Sequence, residues 1–378
     1  MKIQPMIDSQ ELRTQCADQL SAAVKQVNKL TAFVGLDGFV DEIIHAVDKR
    51  ENAETFQRIA TISKLGERII AAAGRSTNVE LVRQLTKLGG NGPIMGNALA
   101  SFGIQVTYVG ALGWPNLHPV FKGFSKIAEV HTIGEPGYTD ALEFEDGKLL
   151  FGKLVQLAEI TWPNIQARYG REKFAKKFQQ SNLVGFVNWT MLPYMSDIWE
   201  SCLKELCKDM KGPKRTLFVD LADPEKRSNS DITRALKLIV KFNKFFNVIL
   251  GLNEKEAFEI GRVLGLAEQP HTPEGLAVLT QEILKHVSVS TLVVHPTSYA
   301  LAASKDGVTI VKGPFVEKPF ITTGAGDHFN SGFCLGKLLG FDNTMSVMCG
   351  VTTSGFYVRT AKSPAVKDLV GMLRKWPA

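Results

Sequence analysis

Apolar and polar positions along this chain follow two rhythms. Between residues 8 and 30, Leu12, Cys16, Leu20, Val24 and Val27 recur with charged residues between them, the spacing of one helix face. Short apolar runs then follow: residues 32–34, VTYVG (106–110), LVGFVN (183–188), TLFVDL (216–221), NVILG (247–251) and TLVV (291–294). Each predicts a buried strand. Helical patterns lie between most of them. Two, SDIWESCLKELCKDM (196–210) and SDITRALKLIVKFNKF (230–245), open on a serine suited to an N-cap. Such alternation predicts a mostly parallel sheet covered by helices on both faces.

Two segments break the rhythm. TDALEFEDGKLLFGKL (139–154) alternates about Asp146-Gly147, a hairpin signal and part of a small antiparallel sheet. Residues 45–88 read as a helix-rich, charged insertion. There is no internal repeat, low-complexity tract or linker. The expectation is a helical extension (1–30) packed on one α/β domain (31–378), with a lid from segments about 45–88 and 130–155.

Composition changes this picture little. Of 378 residues, 44% are hydrophobic and 22% charged, ordinary for a soluble globular chain. The net charge of +6 forms no long basic run. It suits a small anionic ligand, and without a Lys/Arg stripe with aromatics no nucleic-acid partner is expected. Five cysteines at wide spacings argue against a disulfide framework, and no C-x-x-C with matching histidines suggests zinc. The N-terminal residues lack the apolar region of a secretory signal. No apolar run approaches the ~18 residues of a membrane span. The cytoplasm is the default location.

The chemistry concentrates in PFITTGAGDHFNSGFCLGKLLG. Gly324, Ala325, Gly326 and Asp327 open an apolar helix. A helix N-terminus carries N–H groups without intrahelical partners, and glycines let a ligand come close to them. This makes an anion site suited to a transferring phosphoryl group. Asp327 beside it fits the base that takes a proton from an attacking hydroxyl. The plainer alternative is a turn with an N-cap.

Other segments offer partners. In VGLDGFVDEII, Asp37 and Asp41 flank a turn beyond a strand end, where open α/β sheets bind ligands, and two carboxylates there suit vicinal hydroxyls. Turn chemistry and capping are the alternative. KLGGNGPIMGNALASFG runs a glycine-rich turn into a helix, with Asn91 able to donate and accept; Asn97 reads as a buried structural asparagine. ILGLNEKEAF places Asn253 and Glu256 three apart after a strand, either reaching a magnesium-bound water or forming a capping box. His295 reads as structural. Trp189, Tyr194 and Trp199 read as packing. No P-loop, dinucleotide fingerprint or nucleophile elbow occurs.

Together these segments resemble the PfkB carbohydrate kinase family, over about residues 31–375. TTGAGDHFNSGF is similar to its C-terminal signature, LNEKEAF to its N-x-x-E motif, KLGGNG to its di-glycine signature and GFVDEI to its sugar-binding strand tip. VDLADPEKR is similar to a strand of many sugar-specific members, pointing to Asp220, Asp223 and Arg227. The resemblance implies a ribokinase-like three-layer α/β/α fold with a mostly parallel central sheet and a small β lid. It implies ATP-dependent phosphorylation of a sugar hydroxyl with Mg²⁺. Asp327 would be the base and Gly324, Ala325 and Gly326 the anion hole. Asp41, then Asp37, with Gly90 and Asn91 would touch the sugar. Asn253, Glu256 and Thr323 would lie at the nucleotide, Glu256 meeting the metal through water. The lid is often used for a homodimer.

The sequence departs from the family pattern in places. Ile321 replaces an aspartate that helps hold a monovalent cation. VVHPTSYAL (293–301) replaces a glycine-containing nucleotide turn, and GALGWPN a G-x-x-G-x-D segment. Ile94 replaces an asparagine. Two competing readings follow: a sugar-binding protein on this fold without transfer, and a nucleoside kinase.

Overall fold

The computed structural model describes residues 2–377. Among them, ten strands form the central sheet. Its order across the molecule is Ile3–Ile7, Gly307–Lys312, Tyr299–Ser304, Thr291–Val294, Phe246–Leu252, Arg215–Asp220, Leu183–Phe186, Thr31–Leu36, Gln105–Gly110 and Glu129–Thr132. Only Tyr299–Ser304 runs antiparallel to its neighbours. Parallel strands need crossover helices, which cover both faces and leave the inner strands mostly apolar. The core accordingly splits into two large clusters, one gathering Phe33, Phe178, Phe186 and Phe246, the other Val34, Tyr108, Phe218 and Phe329. This is the ribokinase-like α/β fold the sequence led us to expect.

The helix expected within residues 8–30 runs from Gln10 to Val27, with Cys16, Ala17, Leu20 and Val27 buried. It is preceded by a strand, Ile3–Ile7, that pairs in parallel with Gly307–Lys312 and so belongs to the central sheet.

The reading of residues 45–88 as helix-rich is corrected. One helix, Ile62–Ala71, lies there, between long strands. Phe39–Arg50 pairs antiparallel with Leu81–Gly89 and parallel with Gly137–Phe144, which turns through Glu145-Asp146 into Gly147–Lys153. With Phe56–Arg58 these make a five-stranded lid sheet over a small cluster of Ile44, Ile59, Leu65, Leu142 and Phe144. Both lid strands carry charge because one face meets solvent, which imitates the polar stripe of a helix. The strand Glu129–Thr132, within the segment assigned to the lid, instead closes the far edge of the central sheet.

Candidate active site

The helix Ala325–Leu338 has Gly324 as its N-cap, in left-handed geometry (φ 93°) that favours glycine. The Ala325 N–H is taken by the Thr322 carbonyl at 3.1 Å, and the His328 N–H by Gly324. No backbone partner takes the N–H groups of Gly326 and Asp327 among the described residues. The Gly324 N–H likewise has no backbone partner, so the free donors of this tip are those of Gly324, Gly326 and Asp327.

Ala325 and Gly326 line a cleft of about 1140 Å³. Asn253, Lys255, Phe258, His271, Thr322 and Ser354 share its walls. Thr323 does not line it; its carbonyl accepts from the Tyr357 hydroxyl at 2.9 Å. His295, read as structural, lies in the cleft wall, its Cε1 3.0 Å from where a Cβ on residue 326 would stand. Burial lowers its pKa to about 4, so the ring is neutral.

Asp327 looks the other way. It is buried (6% exposed) and its Oδ1 accepts from Asn91 Nδ2 at 3.0 Å. Burial raises its carboxyl well above the usual range, and the charges of Asp220, Asp37 and Glu256 add to this, while the Asn91 bond opposes it. A base so raised holds a proton more readily near neutral pH.

Asn91 begins the helix Asn91–Ser101, and Gly90 before it, at φ 93°, turns the chain out of the lid strand. Gly89 is required by contact: a Cβ there would lie 2.3 Å from the Asp41 carboxyl carbon. Asp41 thus sits against the hinge glycine. Burial raises its pKa, opposed by the charge of Lys87 and the hydroxyl of Thr139.

Asp37 is fully buried. Its Oδ1 accepts from the Gly92 N–H at 2.9 Å and its Oδ2 from Asn188 Nδ2 at 2.8 Å, while the Tyr108 hydroxyl donates to its carbonyl at 2.7 Å. Burial pushes its carboxyl up to about 6 against these bonds. Its Oδ1 holds the first turn of the Asn91 helix and its Oδ2 is engaged by Asn188.

Asn253 and Glu256 form a capping box: Asn253 Oδ1 accepts from the Glu256 N–H at 2.9 Å, and Glu256 Oε2 from the Asn253 N–H at 2.8 Å. Glu256 Oε1 accepts from the Asp223 N–H at 2.8 Å. Among the described residues no group of three or more His, Cys, Asp or Glu could hold a metal ion. A magnesium ion at the nucleotide would reach Glu256 only through water, which suits an ion that keeps most of its waters and rides on substrate phosphates.

Asp220, suggested by the DPEKR segment, is buried between the Ala222 N–H (2.9 Å) and Asn330 Nδ2 (2.8 Å). Burial, then the charge of Glu256, raises it to about 8. Arg227 spends its guanidinium on the carbonyls of Thr190, Trp189 and Leu192 and stacks on Trp189, holding a loop.

The sequence reading missed the support behind Gly324. The His328 Nδ1 is 2.7 Å from the Gly324 carbonyl, which can only accept, so Nδ1 carries the proton. The His328 Nε2 then accepts from Ser363 Oγ (2.9 Å), which accepts from Asn97 Nδ2 (3.0 Å). Tyr357 stacks on the ring at 3.6 Å. A histidine directly after G-A-G-D was the available signal.

A family model for prokaryotic ketohexokinase matches residues 7–376. The chain belongs to that family. A ketohexokinase of Haloferax volcanii is 28% identical over 337 residues, covering 89% of this chain and 88% of that protein. Among solved structures, a carbohydrate kinase from Agrobacterium tumefaciens superposes with a TM-score of 0.62 at 16% identity, over 91% of this chain and 97% of that one. Ribokinase of Arabidopsis thaliana, complexed with ribose and ATP, gives 0.62 at 15%, over 91% and 98%. As a member of the prokaryotic ketohexokinase family this chain is a sugar kinase, a divergent PfkB-type phosphotransferase with an alcohol acceptor. No helix among the described residues is long and apolar enough to cross a membrane.

Proposed function

We propose that this kinase transfers the γ-phosphoryl group of ATP to a hydroxyl of a ketohexose, with Asp327 as the general base. One observation carries the reading: Gly326 faces the large cleft while the next residue, Asp327, turns its carboxylate to Asn91 at the lid hinge. Nucleotide and sugar would then meet at one helix tip, from opposite sides.

The acceptor hydroxyl gives its proton to Asp327 as its oxygen attacks the phosphorus. The N–H groups of Gly326 and Asp327 point where negative charge gathers on the phosphoryl oxygens. Asp41 and Asn91 hold the sugar; Asp37 fixes the turn that presents Asn91. Magnesium, when carried in on the nucleotide, would draw charge from the phosphates, with Asn253 and Glu256 reaching it through water. The ketohexose follows from the family and from the relative's name. Exposed Leu85, Leu150 and Phe151 on the lid offer apolar surface for a lid-mediated homodimer, and light scattering that finds a monomer at assay concentrations would remove that pairing.

A coupled ADP-release assay across ketohexoses, aldohexoses and nucleosides tests the assignment. Preference for a ketohexose is expected. Turnover of nucleosides but not of sugars would overturn it.

A further inference from the structure

The lid places a second charged side chain beside Asp41. In the antiparallel ladder Asp41 pairs directly with Lys87, and on its other side with Thr139. Residues directly opposite in a ladder project from the same face. That face is fixed by Gly89, two residues beyond Lys87, whose missing side chain makes room for the Asp41 carboxylate. It is therefore the face that meets the hinge glycine.

Lys87 is half-buried, yet among the described residues its ammonium forms no hydrogen bond and no ion pair. Its neighbour Arg83, on the same strand, does find a carboxylate in Glu42 at 3.0 Å. An ammonium partly withdrawn from water without a partner is costly. Burial lowers the Lys87 pKa, and the charge of Asp41 opposes that shift. The two groups feel each other across the ladder without closing into a salt bridge.

We propose that Lys87 and Asp41 form a clamp for one hydroxyl of the acceptor sugar, making Lys87 a specificity-determining residue. The inference rests on the sugar-kinase reading of this site. The chemistry of the gap selects the ligand group. A carboxylate only accepts and an ammonium only donates, so a group that satisfies both must donate and accept at once. A hydroxyl does so; a hydrogen, an amine cation or a carboxylate does not. Sites built to hydrogen-bond a substrate hydroxyl discriminate strongly against analogues lacking it, because their polar groups are left unpaired.

The test uses the full chain, the coupled ADP-release assay and D-fructose or whichever sugar the wild type turns over best. Lys87→Met is expected to raise the KM for sugar by about tenfold or more, with kcat and the KM for ATP little changed, the signature of lost uniform binding. Lys87→Arg should recover part of the loss. Combined with Asp41→Asn, Lys87→Met should add little, since both clamp one group. An unchanged KM in Lys87→Met, or additive effects in the pair, overturns the clamp. A wild-type measurement needs no variant to fold: among monodeoxy sugars, one position away from the phosphorylated hydroxyl should lose far more kcat/KM than the others. An even loss across positions overturns the proposal. A wild type that turns over no ketohexose refutes the ketohexose assignment instead, and the scan then proceeds on the sugar it does use.

Discussion

Asp327 and its neighbours show how one residue's environment sets its work. Replacing Asp327 by asparagine keeps the shape and the Asn91 contact but removes the proton acceptor. We expect kcat to fall by about 10²-fold or more with the sugar KM nearly unchanged, measured by steady-state ADP release. His328 acts one step back. His328→Leu strips the side-chain donor from the Gly324 carbonyl, leaving only the backbone N–H of residue 328, and His328→Asn can restore it; kcat should fall in the first and recover in part in the second. Equal losses in both would show that the ring matters only as filling. Asp220 makes a prediction about stability. Its folded pKa of about 8 lies above the ordinary value of about 4, so the folded state binds its proton more tightly and stability declines as pH rises through that window. Asp220→Asn removes the charge; its amide oxygen keeps the Ala222 N–H, and with the Asn330 amide turned over, its NH₂ donates to Asn330 Oδ1 in place of the present bond. Thermal melts should then show a flatter decline between about pH 4 and pH 8, and a higher Tm at pH 9. A Tm at pH 9 no higher than that of the wild type would contradict this.

Helices and strands explain what could be read in advance. The runs at 106–110, 216–221, 247–251 and 291–294 were legible because strands buried on both faces are apolar at most positions. Phe39–Arg50 and Leu81–Gly89 were not, since a sheet with one wet face mixes Asp, Glu, Lys and Arg into its pattern. Ile3–Ile7 was missed because it is five residues long and carries Pro5, which only an edge strand accepts readily. The site divides in the same way. The glycine-rich helix tip and its aspartate were readable from local chemistry. That Asp37 is spent on Gly92 and Asn188 was not, because those partners come from elements 55 and 151 residues away. The apolar helix after Asp327 was legible, and its contact with Asn343–Thr360 carries a test. A Cβ on Gly332 would meet Thr353 Oγ1 at 2.2 Å and the Cys349 carbonyl oxygen at 2.6 Å. Gly332→Ala should destabilise by about 1–3 kcal/mol in denaturant melts, the usual range for overpacking. A neutral result would show that these two helices slide apart freely.

At the scale of the whole molecule, the central sheet runs from the N-terminal strand at one edge to Glu129–Thr132 at the other, and the helix tip we propose as catalytic lies between two separately built walls. One wall is the cleft lined by Asn253, His295 and Ser354; the other is the lid with Asp41. The N-terminal strand guards the far edge. Removing residues 1–8 would leave Gly307–Lys312 as an open edge beside an apolar core, so we expect a lower Tm and light-scattering aggregates on mild heating. An unchanged melt would mean the sheet edge is indifferent to its cover.

The Asn91 amide has a last consequence. With no acceptor bound, the carboxylate we propose as the base is already engaged by a side chain that begins at the lid hinge. On the proposed mechanism, idle hydrolysis of ATP would then stay slow until an alcohol arrives to compete for that oxygen.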